Sequence, residues 1–120
     1  MRRTPAPKWG AGEKVHELVN VTYDKFGKTR RLTMTGHADY AKDGQPDIVC
    51  AACSAILYTL LGWMGNNRAG YKEIEPIEVN PGAVKLYVGS TTSEFDAVFD
   101  ATIIGLKQVA MAAPESVRIA

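Results

Sequence analysis

This sequence has little cysteine, little net charge and few long apolar runs, and each shortage closes off a class of function. Cys50 and Cys53 are its only cysteines. They stand three positions apart, too close to staple distant parts of a fold. An extracellular disulfide scaffold is therefore not expected, and a reducing cytoplasm is the expected home. The formal net charge is +1, which provides no strong field toward nucleic acid or an anionic membrane. No apolar run is read as approaching the roughly 18–20 residues of a membrane span. The opening MRRTPAPKWGAGEK is basic but has no apolar stretch behind it, so it is not a secretory signal. Neither membrane nor direct nucleic-acid contact is expected.

What is present fits one soluble domain. The chain has 120 residues, 46% hydrophobic and 22% charged, enough for one core and too short for two. Residues 1–13, with Pro5 and Pro7, read as a disordered or flexible tail. Residues 14–120 read as the domain. Val15, Val19, Val21 and Tyr23 alternate at the period of a half-buried strand. A turn is expected over 24–29, around Gly27. RRLTMTGHA follows as a second strand, with Leu32 and Met34 on one face and Arg31, Thr33 and Thr35 on the other. By the same parity His37 ends it on the polar side.

The polar stretch ADYAKDGQP, punctuated by Gly44 and Pro46, reads as a loop. Asp47 then precedes IVCAACSAILYTLLGWM, a core helix on the spacing of Val49, Ala52, Ile56 and Leu60, ending near Gly62–Gly65. Two strands, YKEIEPIEVN and AVKLYVGS, meet at the turn Asn80-Pro81-Gly82. Pro76 assigns the first to a sheet edge, and Val84, Leu86 and Val88 form the inward face of the second. Ser93 opens a second helix with Asp96 at capping-box spacing. Phe95, Val98, Phe99, Thr102, Ile103, Leu106 and Val109 give its buried stripe. After Pro114, SVRIA supplies a short last strand. The order ββαββα(β) predicts an α+β fold: a mostly antiparallel sheet with two helices packed on it.

Chemistry concentrates between Gly36 and Ser54, where a strand-terminal histidine, a loop and a cysteine in the first turn of a helix follow one another. A thiolate attacks carbonyl carbon far better than a thiol. The positive end of a helix dipole favours the thiolate at Cys50. His37, with an ordinary pKa of about 6.5, suits both removal of the thiol proton and its return to a leaving amine. Asp47 caps the helix through the Cys50 amide or, alternatively, orients His37. Ser54, one turn beyond Cys50, either lines the pocket or bonds the previous turn.

Other readings compete. A cysteine on an Ala-rich helix is commonly a small buried hydrophobe, and Cys53, among Ala51, Ala52 and Ser54, fits that description best. His16 reads as structural or exposed. Cys-x-x-Cys at a helix start also resembles a thiol-redox pair, although a polar loop rather than a strand precedes it. Zinc would need both cysteines and both histidines to converge, with no second close pair. Neither a metal nor another cofactor is expected.

The stretch GHADYAKDGQPDIVCAACSAI resembles the signature of the ribosomal-processing cysteine proteases, the Prp family, including phage-encoded members. Gly36, His37, Ala38, Gly44, Asp47, Ile48, Cys50, Ala51 and Ser54 carry the match. It continues more loosely through Gly105–Lys107 and Pro114–Glu115. The resemblance implies a small α+β homodimer with His37 as base and Cys50 as nucleophile. Gly36, Asp47 and Ser54 would support the site, and a loop would close over an extended peptide. It further implies removal of an N-terminal extension from a ribosomal protein, or processing of a phage virion protein. The sequence departs from the family pattern in a longer His37-to-Cys50 interval, in Cys53 and in the extra residues 1–13. A non-catalytic dimeric peptide-binding module is the alternative.

Overall fold

The computed structural model describes residues 18–36 and 48–120. The first half of the fold is the hairpin β1 (Val19–Phe26) and β2 (Thr29–Thr35), followed by helix α1 (Ile48–Asn66). A single 3-10 turn (Arg68–Gly70) leads into β3 (Lys72–Asn80) and β4 (Ala83–Gly89), then helix α2 (Ser93–Ala112) and β5 (Val117–Ile119). The five strands form one sheet in the order β3-β4-β2-β1-β5, antiparallel except where β5 runs parallel to β1. This is the α+β architecture that the order of elements predicts.

Strand parity determines which side is buried. Val19 and Val21 of β1, Leu32 and Met34 of β2, and Val84, Leu86 and Val88 of β4 face the helices and are buried. The opposite face is polar, with Thr22 and Thr33 hydroxyls 2.6 Å apart and the Arg31 guanidinium 4.4 Å from the Tyr87 ring centroid. Phe95 is the hub on the helical side. Trp63, Tyr71 and Phe99 pack around it at centroid distances of 6.0, 5.6 and 6.1 Å, joining α1, the segment after it and α2. Burying such rings is worth about 1.5–3 kcal/mol each before cavity effects are counted.

Several boundaries shift from the sequence expectation. β1 continues to Phe26, so the turn is confined to Gly27 and Lys28, with Gly27 at φ 59°. Residues 14–17 lie outside the described residues. The buried stripe of α1 is Cys53, Leu57, Leu60 and Met64. Val49 and Ile56 lie only at its margin. α1 ends at Asn66, past both glycines. α2 is capped by Thr92, not Ser93: the Thr92 hydroxyl oxygen accepts the Phe95 amide at 3.1 Å. Asp96 turns away from the capping box and accepts a hydrogen bond from the Thr91 hydroxyl at 2.7 Å. It also pairs with Arg30 at 3.2 Å.

α1 corrects the reading that no apolar run approaches membrane-spanning length. It is one helix long and apolar enough, by length and composition, to cross a bilayer. In the fold it packs one face into the core, with Leu57 and Leu60 fully buried within the same cluster as Leu86 and Phe99.

Candidate active site

The chemistry-bearing end of the molecule is the end of the sheet where four strand termini meet. β1 begins there at Val19 and β2 stops there at Thr35. β3 finishes at Asn80, and β4 starts at Ala83. The register aligns them, with Asn20 opposite Thr35, Thr35 opposite Ala83, and Ala83 opposite Asn80. The start of α1 meets the same end. A small pocket of about 30 Å³ lies at this junction, bordered by Gly36, Cys50, Ser54, Tyr58, Asn80 and Gly82. Its floor is apolar, formed by Val19, Met34, Cys53 and Val84.

Cys50 is the third residue of α1 and is half-buried, whereas Cys53 is fully buried. The two therefore occupy different environments on one helix face, one at the rim of the pocket and the other in the core. Small-residue packing accounts for Cys53. The amides in the first turn of a helix have no intrahelical acceptor and make an anion site at its start. Ser54 follows Cys50 by one turn and borders the same pocket.

Gly36 fixes where the chain leaves β2. Its φ of 85° is a left-handed conformation, and a Cβ at this position would run into the Leu18 carbonyl oxygen. Only glycine satisfies both constraints. Its amide donates to the Gly82 carbonyl at 2.9 Å, joining the end of β2 to the β3–β4 turn. His37 and Asp47 lie outside the described residues. Of the five residues expected at the site, Gly36, Cys50 and Ser54 thus converge on one pocket. The sequence reading missed Tyr58 and Asn80, which border it too. Tyr58 falls one turn beyond Ser54, and that spacing was the available signal.

Two further features bear on alternatives. A wider depression of about 270 Å³ lies elsewhere, among Asp24, Phe26, Thr29, Arg31 and Tyr87. It holds no cysteine, so the smaller pocket beside Cys50 has the better claim to thiol chemistry. Among the described residues, no three histidine, cysteine, aspartate or glutamate side chains converge as a metal site would require.

Cys50 thus stands near the start of a core helix, beside a pocket at the end of the sheet. The family model "Cysteine protease Prp" matches residues 18–118, and the chain belongs to that family of cysteine proteases. A ribosomal processing cysteine protease Prp from Mycoplasma pneumoniae is 33% identical over 85 residues, covering 71% of this chain and 80% of the relative. Similar folds occur in the ribosomal processing protease Prp of S. aureus. Its complex with a covalently linked product peptide matches with TM-score 0.68 at 24% identity, over 86% of this chain and 96% of that one. Its complex with a substrate peptide gives TM-score 0.61 at 22% identity, over 87% and 97%. SMU.848 from Streptococcus mutans gives TM-score 0.60 at 20% identity, over 85% and 91%.

Proposed function

We propose that this protease cleaves an N-terminal extension from a ribosomal protein precursor, with Cys50 as nucleophile and His37 as general base and acid. The observation that carries the reading is the position of Cys50 in the first turn of α1, at a pocket that Gly36 also borders. His37 is the next residue along the chain from Gly36. The Mycoplasma pneumoniae relative, named for ribosomal processing, supports the choice of precursor over a virion protein.

In the proposed reaction His37 takes the Cys50 proton and the thiolate adds to the scissile carbonyl. Backbone amides at the start of α1 hold the developing oxyanion. Collapse of the tetrahedral species breaks the C–N bond, and His37 gives its proton to the departing amine. Water, deprotonated by the same imidazole, then attacks the thioester and restores the thiol. Ser54 lines the pocket, and Asp47 supports the site in this reading, as a helix cap or by orienting His37. Residues 14–120 form the protease domain, matched over 18–118 by the family model, and residues 1–13 precede it. The reading extends to a homodimer in the cytoplasm, with the dimer open to light scattering.

The test is incubation with an N-terminally extended ribosomal protein and measurement of product masses. Wild type should release the extension, and Cys50→Ala and His37→Ala should not. Cleavage surviving in Cys50→Ala would remove the assignment. Binding of the precursor without cleavage by wild type would favour the non-catalytic module.

A further inference from the structure

The described chain begins at the rim of the Cys50 pocket. Val19 lines the pocket floor, and the Leu18 carbonyl sits against Gly36. The residues upstream of Leu18 are therefore tethered at the pocket itself. They also lie before the start of the family match at residue 18. Their outer part is one-sided in charge: residues 1–12 contain Arg2, Arg3 and Lys8 and no acidic residue, whereas Glu13, Lys14 and Glu17 stand nearer Leu18.

On the far side of the pocket lies a surface of opposite sign. Asn80 ends β3 at the pocket, and β3 is an outer strand of the sheet. Along it Glu73, Glu75 and Glu78 are exposed, against a single cation, Lys72. Glu78 stands opposite Lys85 in the register, yet none of the three glutamates makes an ion pair among the described residues. Val79 and Tyr58, each about half exposed, add apolar area beside the pocket. The register is irregular between Glu73 and Glu78 but regular from Glu78 to Asn80. The backbone edge nearest the pocket thus remains open to an extended segment.

We propose that the N-terminal segment 1–17 docks in cis across the Cys50 pocket and along the acidic edge of β3, competing there with peptide substrate. The inference rests on Cys50 being the nucleophile. Reach is not limiting, since 17 extended residues span roughly 55 Å. A short tether also gives its own segment an effective concentration on the order of millimolar at the pocket. Arg2, Arg3 and Lys8 pair with Glu75 and Glu78, while Pro5, Pro7 and Trp9 cover the apolar margin. The attraction lies near the surface, so salt weakens it.

The rate of Cys50 alkylation by iodoacetamide, followed by peptide mass, tests this without a substrate. Arg2→Glu, Arg3→Glu and Lys8→Glu combined in the full chain should raise the rate about three-fold or more. Raising salt should accelerate wild type and leave that variant unchanged. Glu75→Lys with Glu78→Lys should also accelerate alkylation, and combining both charge reversals should restore the slow rate. Equal rates in all four proteins would overturn the proposal. So would slower alkylation in the tail variant, which would mean that the tail acts only by its field on the thiolate. A wild-type rate that falls with protein concentration would overturn docking in cis in favour of docking between copies. Alkylation reads the cover over the sulfur whether or not a ribosomal precursor is cut, so the two hypotheses fail separately.

Discussion

Gly36 and Gly82 are joined by a 2.9 Å hydrogen bond from the amide of the first to the carbonyl of the second. Both have positive φ, 85° and 78°. The bond ties the exit of β2 to the β3–β4 turn, so two rims of the Cys50 pocket are held by backbone alone.

Gly36→Ala should damage both fold and function. The left-handed conformation costs a non-glycine residue about 1–3 kcal/mol, and the added Cβ must also displace the Leu18 carbonyl. Thermal unfolding should show a drop of several degrees, and residual hydrolysis should fall even well below the new midpoint. Unchanged stability would mean that the Leu18–Gly36 contact relaxes freely.

The Arg30–Asp96 pair should behave as a buried tie between the first hairpin and α2. Arg30 also donates to the carbonyls of Gly27 and Thr29 at 2.7 and 2.8 Å. Asp96→Ala strands the guanidinium among these groups and should cost about 2–4 kcal/mol, toward the lower end for a carboxylate that retains some exposure. Denaturant titration would measure it, with catalysis per folded molecule unchanged.

Cys53→Ala discriminates catalysis from redox chemistry. The side chain is fully buried in the core, so truncation should cost about 1 kcal/mol and leave turnover intact. A thiol-redox protein would instead lose function with Cys53, and the variant would lack a reversible disulfide to Cys50.

Phe95→Ala removes the ring on which Trp63, Tyr71 and Phe99 all pack. A loss of about 3–5 kcal/mol is expected. Thr92→Ala, which deletes only the cap hydroxyl, should cost about 1 kcal/mol. A ratio near unity between the two in chemical denaturation would contradict the hub role of the ring.

The sheet was legible in the sequence because alternation is a local signal. Val84, Leu86 and Val88 point inward as their spacing predicts, and Pro76 lies in an outer strand. The face of α1 was harder to read, since apolar residues surround the helix and its periodicity barely separates Val49 and Ile56 from Cys53 and Leu57. Arg30 was not legible at all. Its parity with Leu32 points it inward, but an arginine in a strand normally signals solvent, and Asp96, which makes burial tolerable, lies far along the chain. At the site, Cys50 and Ser54 were legible from helical spacing. Asn80 was not, because strand ends that meet in space share no signature in sequence.

The pocket beside Cys50 draws its rim from strand ends, a turn and the first turn of a helix, while the aromatic hub around Phe95 lies deeper. On the proposed function, exchanges at Tyr58, Asn80 or Ala83 alter peptide preference without eroding the scaffold. A lineage could retarget such an enzyme by a few surface exchanges, provided the two glycines that hold the rim stay in place.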